Sequence, residues 1–356
     1  MIELTDDNLV FSFPEVHPQA KLTISLQRTL RIPDDGNAYP LPPGLGNFPI
    51  RHIDDYANRL PDTWLRRGGV IVPMYQAEAL WINFSSATVP GRKDKMDDWD
   101  DGWGVGVRYP FAVKIAAGKI NAVTGGSWRS ELSKRPQDYV VAPKQPWLDG
   151  YCVERGLIRQ FVAMPLGSGY SAEEQLTGKA EFGGLQLLVC PMKRKAFDRR
   201  FPEWRSKDFP ITAMPELPPF PIEHPVQCEC SMGLAPGGRM RQQLYDDPYA
   251  LADWDTEHSS RCFAHLANSM LWRSITGENP PGVPLTAAEY ARYNLPWFDY
   301  YDENASTLSG GEPLKGLKSV ADMGKEKGVV ALPENESVEA DVVINLRRNR
   351  VREEEF

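Results

Sequence analysis

Cysteine is scarce in this chain: Cys152, Cys190, Cys228, Cys230 and Cys262 are the only five in 356 residues. An odd, sparse set does not make a disulfide framework, so a reducing compartment, the cytoplasm, is the expected location. No uninterrupted apolar run approaches the roughly 18 residues that cross a bilayer as a helix, and no membrane span is expected. The N-terminus, Met1-Ile2-Glu3-Leu4-Thr5-Asp6-Asp7, lacks the basic and apolar regions of a secretory signal. Positive charge is also short. Lys and Arg total 40 against 48 Asp and Glu, a formal net charge of −8. A general nucleic-acid binder neutralises phosphates with basic side chains, and this balance argues against nucleic acid as a partner. Familiar catalytic signatures are missing too. There is no Gly-x-x-x-x-Gly-Lys-[Ser/Thr] loop, Gly-x-Ser-x-Gly elbow, His-Glu-x-x-His helix or Cys-x-x-Cys pair.

What the chain has in excess is turn formers: 31 prolines and 29 glycines, or 60 of 356 residues. Proline removes a backbone donor and clashes with the preceding turn, which excludes long bundles and coiled coils. A hydrophobic fraction of 42% with 10% aromatic residues excludes a disordered chain. The order that remains is mostly strand. Leu9, Phe11 and Phe13 alternate with Val10 and Ser12, and Leu22, Ile24 and Leu26 alternate with Thr23, Ser25 and Gln27. That period of two marks half-buried strands. Val70–Val72, Phe111–Ala116, Tyr139–Val141, Leu157–Met164 and Leu185–Cys190 read as further strands, with turns such as Thr124-Gly125-Gly126 between them. Short helices are expected at about Asp54 to Leu60 and after Ser171, where Ser171 and Glu174 form a capping box. Gly68-Gly69 before Pro73-Met74 echoes Gly183-Gly184 before Pro191-Met192, but the spacings differ by three residues, which flips strand faces.

The expected fold is therefore α+β and β-dominated. It is a largely antiparallel body, sandwich or barrel-like, with short helices, a small helical C-terminal region and an extended tail. Residues 1–208 make the β-rich body and 209–230, crowded with prolines, a connection. Residues 231–310 are a helical region packing on the body, and 311–356 a polar tail or arm. Within 231–310, Thr256 to Ile275 carries Phe263, Leu266, Ala267, Met270 and Leu271 at helical spacing, ended by Gly277. Thr286-Ala287-Ala288-Glu289 is a second capping box, closed by Pro296.

On a helix from Thr256 to Ile275, His258, Cys262 and His265 share one stripe. With His224, Cys228 and Cys230 upstream they make a candidate tetrahedral zinc site, or a Cys–His nucleophile pair. The one-residue gap between Cys228 and Cys230 is tighter than structural zinc motifs use, and buried, inert side chains are the plain alternative.

Asp97-Asp98-Trp99-Asp100-Asp101-Gly102-Trp103 invites calcium, but an EF-hand frame puts Trp99 and Arg108 where ligands belong. The loop is kept as a candidate carbohydrate or small-molecule site through Asp97, Trp99, Asp101 and Trp103. Gly167-Ser168-Gly169 runs into a helix N-terminus, but Glu173 and Glu174 occupy the positive end a phosphate would need. The basic stretch Lys193–Lys207 is a charged surface face by default, and the aromatic and acidic run Trp297–Asp302 either packs a short helix onto the body or forms a recognition surface.

The leading functional expectation is a soluble, non-enzymatic binding or self-assembling component with a wrapping C-terminal arm and a homo-oligomeric or protein partner. The arm has too few apolar residues to fold alone, so it lies across the body or a neighbouring subunit. The alternative is a metal-dependent or thiol enzyme centred on the Cys/His cluster, and the third is ligand binding through the Asp/Trp loop.

Overall fold

A computed structural model describes residues 1–92, 106–203, 231–300, 305–329 and 335–346. The first strands are β1 (Ile2–Thr5), β2 (Asn8–Ser12), β3 (Lys21–Thr29), β4 (Ala38–Tyr39), β5 (Gly44–Asn47) and β6 (Arg51–His52). After helix α1 (Asp62–Arg67) come β7 (Val70–Met74), β8 (Ala79–Ser86), β9 (Thr88–Pro90), β10 (Gly106–Arg108) and β11 (Phe111–Ala117). The middle holds β12 (Ile120–Asn121), β13 (Val140–Ala142), β14 (Trp147–Leu148), β15 (Gly150–Glu154) and β16 (Leu157–Pro165). Helix α2 (Ala172–Thr177), β17 (Leu185–Pro191) and α3 (Arg194–Arg200) follow. Then come β18 (Ser231–Arg241), β19 (Ser260–Asn268), α4 (Ser269–Thr276), α5 (Ala287–Arg292) and β20 (Trp297–Tyr300). The chain ends in α6 (Glu312–Lys315), α7 (Val320–Glu326) and β21 (Val343–Leu346).

One ladder runs β1-β2-β3-β8-β16-β18-β19-β17-β11-β13, antiparallel at every step. Parallel pairs occur where β4 joins β18 and β7 joins β19. The ladder folds over on itself: Leu22, Ile24 and Phe84 near one end share a core cluster with Phe111, Val113 and Leu187 near the other. Phe13 and Phe111 meet across it at 6.0 Å between ring centroids. No pairing among the described residues closes the sheet into a barrel. The β-dominated, largely antiparallel class expected from the sequence is what the chain adopts.

Two boundaries differ from expectation. Residues 231–310 are not a helical annex, because β18 and β19 lie in the middle of the ladder. The Thr256–Ile275 segment is a strand through Asn268 and a helix only from Ser269. Cys262, Ala264 and Leu266 are buried on one side of β19, and His265 and Ala267 on the other. A strand buried on both faces loses its period of two, so its apolar spacing is as compatible with a helix. Gly277 does end α4, in the left-handed conformation expected of a C-terminal glycine.

The described parts of the tail lie on the chain's own body. Leu314, Leu317 and Val320 are buried, and Ala321 N–H donates to Asp34 Oδ2 at 2.7 Å. Further on, Ser337 Oγ donates to Asp35 at 2.6 Å, and β21 pairs with β20 in parallel. No helix among the described residues is long and apolar enough to cross a membrane.

Candidate functional site

His224, Cys228 and Cys230 lie outside the described residues, as do Asp97, Trp99, Asp101 and Trp103. The other three members of the Cys/His set do not share a stripe. His258 precedes β19, is exposed, and pairs through Nδ1 with Asp255 Oδ2 at 3.0 Å, which raises its pKa. Cys262 is buried, and burial pushes its thiol up to about 12, far from a thiolate nucleophile at neutral pH. His265 lies three residues further along a strand, hence on the opposite face. Its Nε2–H donates to Gly68 O at 3.1 Å. Burial lowers its pKa to about 4. Burial likewise holds Cys152 and Cys190 at about 12. No trio of His, Cys, Asp or Glu side chains among the described residues is arranged to hold a metal ion.

The Gly167–Gly169 loop is already filled by an anion. Glu174 Oε1 accepts from Gly167 N–H at 2.9 Å and Gly169 N–H at 2.7 Å, where a phosphate would sit. Its neighbour Glu173 is buried and accepts three more backbone N–H groups, from Glu181, Phe182 and Gly183. The capping box at Ser171 and Glu174 is present as expected.

The two Gly-Gly pairs meet on β19 from opposite sides. A Cβ on Gly69 would sit 2.0 Å from Phe263 O, and one on Gly184 2.5 Å from Ala264 O. Around that junction Trp64, His265 and Phe263 stack at centroid separations of 4.7 and 4.1 Å. Arg67 then lies over both Phe263 and Phe182, and Lys119 lies 4.0 Å over Phe182. Arg67 also donates to the backbone oxygens of Phe182 and Glu181. Rings and cations here use one another.

A different arrangement covers the outward face of β3, β8 and β14. The apolar residues Leu22, Ile24 and Leu26 point inward, so alternation places Ser25 and Gln27 outward. The register sets Ser25 opposite both Asn8 and Asn83, Gln27 opposite Trp81 and Asn47, and Trp147 opposite Asn83. None of these cross-strand partners is charged. Gln27 Nε2 donates to Ser25 Oγ at 3.1 Å and also to Asn47 Oδ1, while Asn47 Nδ2 donates to Asn8 Oδ1 at 3.3 Å. No hydrogen bond among the described residues engages Gln27 Oε1 or Asn83 Oδ1.

Trp81 reaches toward β5, where a Cβ on Gly44 would lie 3.1 Å from its Cζ2. The absent side chain leaves room for the indole. Its Nε1 is buried with no hydrogen-bond partner among the described residues. Trp147 meets Trp81 edge-on at 5.9 Å and 87°, with Tyr300 5.0 Å behind it. Beneath Trp147 lies Asp149, where burial raises the carboxyl to about 7 against the pull of Gln242 and Trp147 hydrogen bonds. Gln242 Nε2 donates to Asp149 Oδ2 at 2.5 Å, and Asp149 N–H donates back to Gln242 Oε1.

Sequence reasoning missed this face because its residues are scattered from Asn8 to Trp147. The only local signals were the polar phases of two alternating runs, Thr23-x-Ser25-x-Gln27 and Trp81-x-Asn83. Comparison with protein-family models, with curated proteins and with solved structures returns no match to this chain.

Proposed function

We propose that the protein is a non-enzymatic binding component that presents the uncharged face around Trp81 to its ligand. One contrast carries this. The chemically reactive groups described above are each closed by the protein itself, whereas the amide oxygens of Gln27 and Asn83 have no hydrogen-bond partner among the described residues. Asp149 is held by Gln242, Glu173 and Glu174 by backbone N–H groups, and His265 by Gly68 and two rings. Binding sites combine aromatic surface with a few convergent polar groups, and this face has both.

A cytoplasmic setting belongs to the same proposal, since Cys152, Cys190 and Cys262 are free thiols. Thiol labelling of the native protein, with metal analysis of material purified without chelator, tests it against an enzyme centred on the Cys/His set. Cys262 is expected to stay unlabelled and zinc to be substoichiometric. Stoichiometric zinc, or rapid labelling of Cys262, transfers the function to that set.

Self-assembly is the second form of this proposal, with the same face as the contact. The described tail is seated in cis, with Leu314 buried and Ala321 bound to Asp34, so its anchoring does not call for a second subunit. Light scattering of the full chain and of a Trp81→Ala variant decides. A dimer that the substitution dissolves places self-assembly on this face.

A further inference from the structure

The chemistry of the open face identifies a class of ligand. We infer that it binds a neutral polysaccharide chain, with Trp81 and Trp147 contacting sugar rings and the Gln27 and Asn83 amides bonding hydroxyls. This rests on the binding reading above and deepens it.

Four observations converge. Charge is absent from the cross-strand pairs Ser25–Asn83, Gln27–Trp81, Gln27–Asn47 and Trp147–Asn83. An ionic ligand would therefore lose its hydration there without gaining a counter-charge. A purely apolar partner is excluded by the second observation, the row of amides, because covering Gln27 Oε1 and Asn83 Oδ1 with hydrocarbon leaves buried acceptors unsatisfied. A saccharide meets both demands, since its hydroxyls donate while its C–H faces are apolar enough to pack on an indole. Third, the two indoles stand at 87° with centroids 5.9 Å apart, making a corner rather than a closed sandwich. Their perpendicular setting gives an extended chain a ring to lie on and a ring to abut. Fourth, Trp81 Nε1 is a buried donor without a partner among the described residues. That N–H is closed to solvent beside Gly44, so what Trp81 offers a ligand is the carbon face of its ring, the part on which a sugar's C–H face packs.

The hydrogen bonds within the row also fix the amides before any ligand arrives. Gln27 is tied to Ser25 and Asn47, Asn47 to Asn8, and Asn83 Nδ2 to Ser25 Oγ at 3.4 Å. Gln27 and Asn83 thus spend their nitrogens on the protein, while their oxygens have no hydrogen-bond partner among the described residues. Less side-chain freedom is lost on binding as a result.

The test is affinity electrophoresis of the full chain in gels holding one polysaccharide each. Hydroxyethyl cellulose, xyloglucan, glucomannan and glycogen are the neutral probes, and polygalacturonate is the anionic one. Retardation is expected in at least one neutral gel, unchanged at about 0.5 M salt because no ion pair is involved. Trp81→Ala is expected to weaken it by about tenfold or more, a difference of about 1.4 kcal/mol. Asn83→Ala, which leaves both indoles in place, is expected to weaken it severalfold and covers the case in which Trp81→Ala fails to fold. Mobility unchanged in every neutral gel overturns the inference. So does retardation by polygalacturonate alone, or retardation that neither substitution weakens. A Trp81-dependent dimer without retardation overturns the polysaccharide ligand while leaving the binding reading standing, and zinc or a reactive Cys262 would remove that reading itself.

Discussion

Two aromatic clusters sit on the same sheet and teach opposite lessons. At the β19 junction, a continuous series of rings and cations runs from Trp64 through His265, Phe263, Arg67 and Phe182 to Lys119. Each of the rings between the ends has a neighbour on either side in the series, and Arg67 is further tied to two backbone oxygens. The Trp81–Trp147 corner has fewer rings and, among the described residues, no cation over them, but it adjoins amide oxygens and an indole N–H that nothing described engages. Counting aromatic residues would rank the junction first. Valence left over after folding ranks the corner first, and binding depends on that remainder. The junction is therefore expected to govern stability and the corner to govern ligand affinity.

The largest separation comes from truncating one ring in each cluster. Trp64 is the buried residue of α1, and Trp64→Ala is expected to cost about 3–5 kcal/mol, read as a shift in the denaturant midpoint. Trp81 is half-buried, and Trp81→Ala is expected to cost about 1 kcal/mol while weakening ligand retardation by about tenfold or more. Equal stability losses from the two would break the comparison.

The clusters also carry opposite responses to acid. Asp149, under Trp147, has its carboxyl raised from 3.8 to about 7 by burial. The folded state then holds a proton that the unfolded state releases. Its contribution is complete below about pH 4 and is lost as pH rises to about 7, up to on the order of 4 kcal/mol. His265 is lowered from 6.5 to about 4, so the unfolded chain takes the proton first, and stability falls as pH drops from 6.5 toward 4. Between pH 4 and 6.5 the two slopes oppose each other. Asp149→Asn is expected to leave a protein that weakens on acidification in that window, and His265→Phe one that strengthens. Chemical denaturation across the window reads both, and parallel profiles in the two variants would contradict the assignments.

Glycine substitutions sharpen the same contrast with smaller effects. Gly69 has φ +95 and Gly184 φ +53, and an added Cβ at either meets β19 backbone. Alanine at either is expected to cost about 2–4 kcal/mol through strain and overpacking. Gly44 carries no such backbone constraint, and its Cβ would meet only the Trp81 side chain. Gly44→Ala is expected to cost less than about 1 kcal/mol, yet to displace the indole and change tryptophan fluorescence. A fluorescence spectrum identical to wild type would place the Trp81 ring elsewhere.

The β class and many strand positions were legible because Leu9–Phe13 and Leu22–Leu26 alternate, and half-burial writes its period directly into sequence. Both capping boxes were legible for a similarly local reason, a side chain and a backbone N–H three residues apart. Thr256–Asn268 was misread because a strand covered on both faces keeps no polar phase, and Cys262 and His265 then fell into a false helical stripe. The open face was hidden differently. The alternation in β3 marks Leu22, Ile24 and Leu26 as its core face and leaves Ser25 and Gln27 on the other, with nothing in the strand to say what they meet. Only the pairing of β3 with β8 and of β8 with β14 brings those amides beside Trp81 and Trp147, and pairing of strands about 55 and 65 residues apart is not written in either strand alone. The tail was legible as an arm, whereas its docking on Asp34 depends on a contact 287 residues distant in sequence.

The smallest expected effect lies at the end of the closed cluster. Lys119 holds φ +59, an unusual conformation for a residue with a Cβ, and its N–H donates to Gln186 Oε1 at 2.5 Å. Its ammonium lies 4.0 Å over Phe182. Removing it forfeits one cation–π contact, about 0.5–1 kcal/mol at a part-exposed position. Lys119→Ala is expected to show that loss in full, because alanine keeps the strained backbone. Lys119→Gly loses the same contact but relieves the left-handed strain, so it is expected to be the more stable of the two by about 1 kcal/mol. Denaturant midpoints order the three proteins. Neither substitution touches the β3–β8 face, so polysaccharide retardation is expected to match wild type in both. Retardation weakened by Lys119→Ala would mean that the junction and the corner act as one site, and that its ligand carries negative charge.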